Sequence, residues 1–161
     1  MRDRDAAFSE FVTARRTHLR RIAYAICGDW HQADDLVQTA LVKLYAAWPR
    51  LHHDGREEAY VRTIIVRAHI DETRRPWRRE RPGEVRDRPA RPEEPEERDA
   101  LFTALQELPP MQRKSVVLRH WLGLSVRETA TELRISEGTV KSHTSRGLAA
   151  LQEVLNPATP R

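Results

Sequence analysis

Apolar residues recur along this chain at the three- and four-residue spacing of amphipathic helices, and the alternating patterns typical of strands are absent. The clearest stripe lies between Asp29 and Pro49, and its members are Ala33, Leu36, Val37, Ala40, Leu41, Leu44, Tyr45 and Trp48. A first helix is predicted to end at Gly28, because glycine takes the left-handed conformation after a helix without steric cost. A third is predicted from about Glu57 to Arg75. Its expected buried side comprises Tyr60, Val61, Ile64, Ile65 and Ala68.

The helical pattern is interrupted once, in a segment that contains Pro82, Pro89, Pro92 and Pro95 among charged residues. Such a segment cannot bury enough apolar surface to fold, so it is predicted to be a flexible or extended linker. The chain is therefore expected to be all-α. Two small helical domains are predicted, over residues 1–77 and 98–156, with a linker at 78–97 and a tail at 157–161.

The second predicted domain carries a pair of capped helices. Ser125 and Glu128 form a Ser-x-x-Glu capping box, and Ser136 is placed to cap the last helix, which starts near Glu137. The small Ala130 allows close approach of the two helices, while Ile135 and Val140 are spaced to fill the angle between them. This arrangement predicts a helix-turn-helix, whose second helix enters the major groove of DNA. The alternative is an ordinary helical hairpin within a core.

Composition agrees with a nucleic-acid partner. The net charge is +4, and only three of the 28 basic residues are lysine. Arginine binds phosphates and base edges through its planar fork, although the codon usage of a GC-rich genome is an equally good explanation. Cys27 is the single cysteine, the N-terminus is charged, and no apolar run approaches the ~18 residues of a membrane span. We expect a cytoplasmic protein with no membrane association, metal or cofactor.

Four ordered motifs resemble the extracytoplasmic-function sigma factors of bacterial RNA polymerase, in particular their short actinobacterial forms. Ala33-Asp34-Asp35-Leu36-Val37-Gln38 resembles an acidic segment of sigma domain two, and the helix from Tyr60 to Asp71 with Arg74-Arg75 resembles the promoter-melting helix. Leu108-Pro109 with Gln112-Arg113 resembles the entry to domain four, and Glu137 to Ser142 with Ser145-Arg146 resembles its recognition helix. The resemblance implies core RNA polymerase (clamp and flap) and promoter DNA as partners, with an anti-sigma factor as a further expected partner.

The resemblance also implies roles for individual residues. The polymerase clamp would contact Asp34, Asp35, Leu36 and Gln38. The −10 DNA would contact Arg62, Arg67, Asp71, Arg74, Arg75, Trp77, Arg78 and Arg79. The −35 DNA would contact Arg127, Ser136, Thr139, Lys141, Ser142, His143, Ser145 and Arg146. No catalytic residue and no small-molecule substrate is implied.

Some of these residues have a simpler explanation. Asp34 and Asp35 would stabilise the start of a helix through its dipole whether or not a partner exists. Tyr60 and Trp77 could stack on an unpaired base, but core packing accounts for Tyr60 better and for Trp77 equally well.

Two positions depart from the family pattern. Arg67 stands where the family usually has asparagine, which favours phosphate contact over base readout. Arg134 stands at the helix-turn-helix turn, where the family usually has glycine. A left-handed conformation there is expected to cost a non-glycine residue roughly 1 kcal/mol. Two outcomes are open: either the turn is reshaped, or the packing of Ile135 tolerates the strain.

Two other classes of function fit parts of the sequence. A one-component regulator, with a helical ligand domain and no polymerase contact, fits the helix-turn-helix alone. A metal-dependent hydrolase could use Asp34, Asp35, His52, His53 and Asp54, but neighbouring side chains in a short loop diverge, whereas metal ligands must converge.

Overall fold

The structure, a computed structural model, describes residues 2–51, 55–74 and 100–156. Every regular element in these ranges is a helix. The all-α prediction is confirmed. The chain divides into two compact units, residues 1–80 and 81–161. The predicted linker, residues 78–97, lies wholly within the stretch from 75 to 99, outside the described residues. Within the described ranges, no helix combines the length and apolar character needed to cross a membrane.

The first unit contains three long helices. They are α1 (Arg2–Cys27), α2 (Trp30–Ala47), which a 3₁₀ turn (Trp48–Arg50) follows, and α3 (Arg56–Arg74). Gly28 ends α1 with a φ of 77°, as predicted, and the Asp29 carboxylate caps α2 by accepting from the His31 N–H at 2.7 Å.

Helix α2 packs against both α1 and α3 and forms the centre of this unit. Its predicted stripe is buried apart from Tyr45, which is 41 % exposed. In α3, Val61 and Ile65 are fully buried, but Tyr60 is 40 % exposed. The prediction that Tyr60 packs in the core is therefore wrong. Tyr60 precedes Val61, and one residue turns a helix by about 100°, so Tyr60 lies at the edge of the stripe.

The described part of the second unit, residues 100–156, has four α-helices and one π-helical turn. They are α4 (Ala100–Glu107), α5 (Pro110–Val116), the π turn (Val117–Trp121), α6 (Val126–Leu133) and α7 (Glu137–Leu155). Pro110 occupies the first turn of α5, as predicted, and the π turn closes with a Leu122 N–H bond to the Val117 carbonyl at 3.0 Å. Helix α7 packs against α4, α5 and α6.

A glycine allows α7 to lie close to α5. A Cβ atom built at Gly147 would lie 2.6 Å from Val116 Cγ2 and 3.4 Å from the Gln112 carbonyl oxygen. The distance to the carbonyl is an ordinary contact, but the distance to Val116 Cγ2 is far below one, so the packing of Val116 on α7 leaves no room for a side chain at this position. This contact fixes α7 on the unit.

Candidate functional site

The start of α6 is built by a reciprocal cap. The Ser125 hydroxyl accepts from the Glu128 N–H at 3.0 Å, and the Ser125 N–H donates to Glu128 Oε1, also at 3.0 Å. The capping box predicted from the sequence is confirmed. The pKa of the Glu128 carboxyl is lowered, mainly by its hydrogen bond with the Ser125 backbone and secondly by one with the Ser125 side chain, because both bonds favour the ionised form.

The turn between α6 and α7 is left-handed, and an arginine forms it. Arg134 has φ 56° and ψ 47°, and among the described residues it is the one non-glycine residue with a positive φ. The N–H groups of Arg134 and Ile135 both bond to the Ala130 carbonyl, the latter at 3.1 Å. This pattern satisfies carbonyls at the end of α6. The expected helix-turn-helix geometry is therefore kept without glycine.

Helix α7 begins at the predicted residue and has distinct inner and outer faces. Ser136 caps it by accepting from the Thr139 N–H at 3.1 Å. The inner face is buried and comprises Val140, Thr144, Gly147 and Leu151. The outer face is exposed and includes Lys141, Ser142, Ser145 and Arg146. One side of the helix therefore holds it in place while the other presents hydroxyls and two cations.

The remaining −35 candidates differ in exposure. Arg127 and Ser136 are exposed, whereas Thr139 and His143 are half-buried. The Thr139 hydroxyl lies 2.7 Å from that of Ser136, so these two groups are already engaged with each other. His143 Nδ1 is buried with no hydrogen-bond partner among the described residues.

The −10 candidates are only partly described. Arg67 and Asp71 are exposed and one helical turn apart on α3, while the half-buried Arg62 lies roughly 140° from Arg67 around the helix. Tyr60 is seven residues before Arg67 and therefore shares its face. Arg74 ends α3, and Arg75, Trp77, Arg78 and Arg79 lie outside the described residues, where these predictions are untested.

The acidic segment of α2 separates into buried and exposed members. Asp35 and Gln38 are exposed, but Leu36 is 2 % exposed, so its side chain belongs to the core and does not reach the surface. Asp34 is half-buried and accepts from Arg20 Nε at 2.6 Å.

Sequence reasoning missed the group that holds Asp34. The guanidinium carbon of Arg20 lies 4.3 Å from the centre of the Trp30 ring, which stacks in parallel on Tyr24 at 3.9 Å. These residues come from two helices, and no local motif signals their contact. In the part of the chain that the structure describes, no cluster of three or more metal-ligating residues is present, and His52, His53 and Asp54 lie outside that part.

Comparison with known proteins agrees with this geometry. Residues 11–79 match Sigma-70 region 2, and residues 98–151 match Sigma-70 region 4. RNA polymerase sigma-E factor of Streptomyces coelicolor is 38 % identical over 156 residues, which cover 92 % of this chain and 85 % of that protein. ECF RNA polymerase sigma factor SigM of Mycobacterium tuberculosis is 30 % identical, with 92 % and 77 % covered.

A solved structure has the same fold. The sigma factor RpoE in complex with the anti-sigma factor NepR from Bartonella quintana aligns with a TM-score of 0.66 over 96 % of this chain and 99 % of that chain, at 24 % identity. Both sigma regions occur in order, and relatives above 30 % identity extend over nearly the whole length. The chain belongs to the extracytoplasmic-function family of RNA polymerase sigma factors, the subunits that direct transcription initiation.

Proposed function

We propose that α7 reads the −35 promoter element in the major groove. The observation that carries this is the polar outer face of α7, which is exposed opposite a buried inner face. Lys141 and the free N–H groups at the helix start suit phosphate oxygens, while Arg146 suits base edges. The exposed Arg127, Ser136, Ser142 and Ser145 extend this contact, and Thr139 and His143 contribute at its margin. The domain concerned spans residues 98–156.

The first domain, residues 1–77, then engages the −10 element. Support comes from one exposed face of α3, on which Tyr60, Arg67 and Asp71 follow one another. An exposed aromatic ring can stack on an unpaired base, and an adjacent arginine can bind the phosphate beside it. Arg67, in place of the usual asparagine, shifts the contact from base toward phosphate. The family resemblance adds further residues to this contact, namely Arg62, Arg74, Arg75, Trp77, Arg78 and Arg79.

The clamp of core polymerase is proposed to contact the exposed face of α2. Asp35 and Gln38 are exposed there, and an acidic helix face suits a basic surface on a large partner. The second domain would meet the polymerase flap, with residues 78–97 as the connection. The role is non-catalytic and belongs in the cytoplasm.

An anti-sigma factor is the third proposed partner. The structurally similar RpoE was crystallised with the anti-sigma factor NepR. A factor that competes with other sigma subunits for one polymerase needs such a restraint when its promoters are to be silent. Co-purification of the full chain from its native host tests this proposal. The inhibitor should be recovered bound to the chain in the fraction that contains no polymerase.

The −35 assignment is tested by selection from a pool of duplexes with random sequence. The full chain bound to core polymerase should enrich one motif, and Arg146→Ala should change the base preference at one position by about 1–3 kcal/mol. Gln152→Ala is the matched control, because Gln152 is exposed farther along the same helix. An unchanged motif for Arg146→Ala would show that this residue does not read a base. Duplex binding without any binding to core polymerase would instead indicate a one-component regulator.

A further inference from the structure

The two adjacent aspartates of α2 have different surroundings. Asp34 Oδ1 lies 2.6 Å from Arg20 Nε, and the side chains of Asp34 and Arg20 are 35 % and 18 % exposed. Asp35 is exposed, and no hydrogen bond or ion pair of its side chain is found within the described ranges. The carboxylate of Asp34 is thus engaged by a cation of its own chain, whereas that of Asp35 faces solvent.

Arg20 is held in place by more than its ion pair. Its guanidinium lies over the Trp30 ring at 4.3 Å, a distance at which a cation and an aromatic face attract each other. Trp30 is itself 8 % exposed and stacks on Tyr24 with an interplanar angle of 1°. The resulting series, Tyr24–Trp30–Arg20–Asp34, connects α1 to the first two turns of α2. Arg20 is therefore held by two groups of α2, the Asp34 carboxylate and the Trp30 ring.

Helix geometry directs the two carboxylates to different sides. Consecutive residues are about 100° apart around a helix, so when Asp34 faces α1, Asp35 points away from it. Asp35 instead shares its face with the exposed Gln38, three residues on, and with Val42, which is 64 % exposed. The exposed face of α2 that carries Gln38 and Val42 thus contains one of the two carboxylates, that of Asp35.

We infer that the two aspartates have separate roles. Asp35 presents its carboxylate to core polymerase, while Asp34 is a positioning residue that, through Arg20, holds α2 in the orientation that exposes Asp35. This inference rests on the proposed contact between α2 and the polymerase clamp, and it narrows that contact to one acidic residue. Asp34, which the family resemblance assigns to the polymerase surface, would then act only within the protein.

The test measures the affinity of the full chain for core RNA polymerase at several salt concentrations. Asp35→Asn is expected to lower the affinity at least tenfold and to weaken its salt dependence, because a charge at the interface is lost. Asp34→Asn keeps the shape and a hydrogen-bond acceptor for Arg20, so it should change the affinity less than threefold and leave the salt dependence unaltered.

A charge exchange separates positioning from direct contact. In the double variant Arg20→Asp/Asp34→Arg, the ion pair is reversed but kept. If Asp34 acts only through Arg20, the exchange should restore most of the affinity that Arg20→Asp alone removes. If Asp34 itself meets polymerase, an arginine there should repel the basic partner and no restoration should occur.

Two outcomes overturn the inference. One is a loss of affinity for Asp34→Asn as large as for Asp35→Asn while α1 and α2 keep their hydrogen-exchange protection. The other is a charge-exchanged variant that is equally protected but binds no better than Arg20→Asp. Hydrogen-exchange protection is measured on every variant. If the charge exchange unfolds the domain, the inference is decided by comparing the affinity of Asp34→Asn with that of Asp35→Asn. Failure of the proposed function would look different, because the wild-type chain would then not bind core polymerase at all.

Discussion

Replacement of Gly147 by alanine should loosen the recognition helix from its domain. The new Cβ would lie 2.6 Å from Val116 Cγ2, whereas carbon atoms in contact prefer about 3.5–4.0 Å, so these atoms must separate by roughly 1 Å. Val116 is only 6 % exposed, and the Gln112 carbonyl limits the other direction. Overpacking of this kind costs about 1–3 kcal/mol, of which the higher helix propensity of alanine returns about 1 kcal/mol. The expected net loss is therefore about 1 kcal/mol, with 2 kcal/mol as the upper end.

Hydrogen exchange of the full chain, followed on peptides from residues 137–155, measures this loss locally. A destabilisation of one to two kcal/mol corresponds to exchange that is roughly 5- to 30-fold faster. Gly138→Ala is the matched control, because it makes the same chemical change in the same helix with Ser136 Oγ at 4.0 Å as its nearest neighbour. Peptides from the first unit should not change. Exchange in Gly147→Ala that is as slow as in Gly138→Ala would refute the close-packing argument.

Further predictions concern the turn, the cap and the DNA-facing surface. Arg134→Gly should increase the hydrogen-exchange protection of α6 by roughly 1 kcal/mol, because glycine adopts the left-handed conformation without strain. Arg134→Ala keeps a Cβ and should give no such gain, so equal protection in both variants would contradict the strain. Glu128 has a pKa below its ordinary value of 4.5, so its ionised form stabilises the fold above that pH, and this stabilisation is lost as the pH falls through the lowered value. The melting temperature of Glu128→Gln should therefore approach that of the wild type below pH 4.5, and a difference that does not vary with pH would count against the cap. Lys141→Ala should weaken binding to the selected −35 duplex and reduce the slope of log affinity against log salt by about 1, as for one lost phosphate contact. An unchanged slope in fluorescence anisotropy would remove Lys141 from the interface, whereas Arg146→Ala should alter which sequence is bound.

The features that could be predicted from sequence are local in the chain. The capping box of Ser125 and Glu128 and the cap at Ser136 each depend on residues within a few positions of one another. The left-handed turn at Arg134 is instead implied only by the family resemblance. The polar outer face of α7 follows from its helical period. These features suffice to recognise a helix-turn-helix before its geometry is known.

The features that could not be predicted depend on contacts between helices. The ion pair of Arg20 with Asp34 spans 14 residues and two helices, and only their packing shows that one aspartate is engaged and the other is not. The exposure of Tyr60 does not follow from the sequence, because the apolar stripe of α3 does not reveal where its edge lies. The π turn after α5, from Val117 to Trp121, has no sequence signature of its own.

The central claim is that this chain directs RNA polymerase to promoters. Run-off transcription tests it most directly, with purified core polymerase, the full chain and templates that carry the motif enriched by selection. We predict transcripts of one defined length that require both the chain and the −35 motif, and that diminish with Asp35→Asn. If the transcripts formed with the chain match those of core polymerase alone, on templates with and without the motif, the account is contradicted.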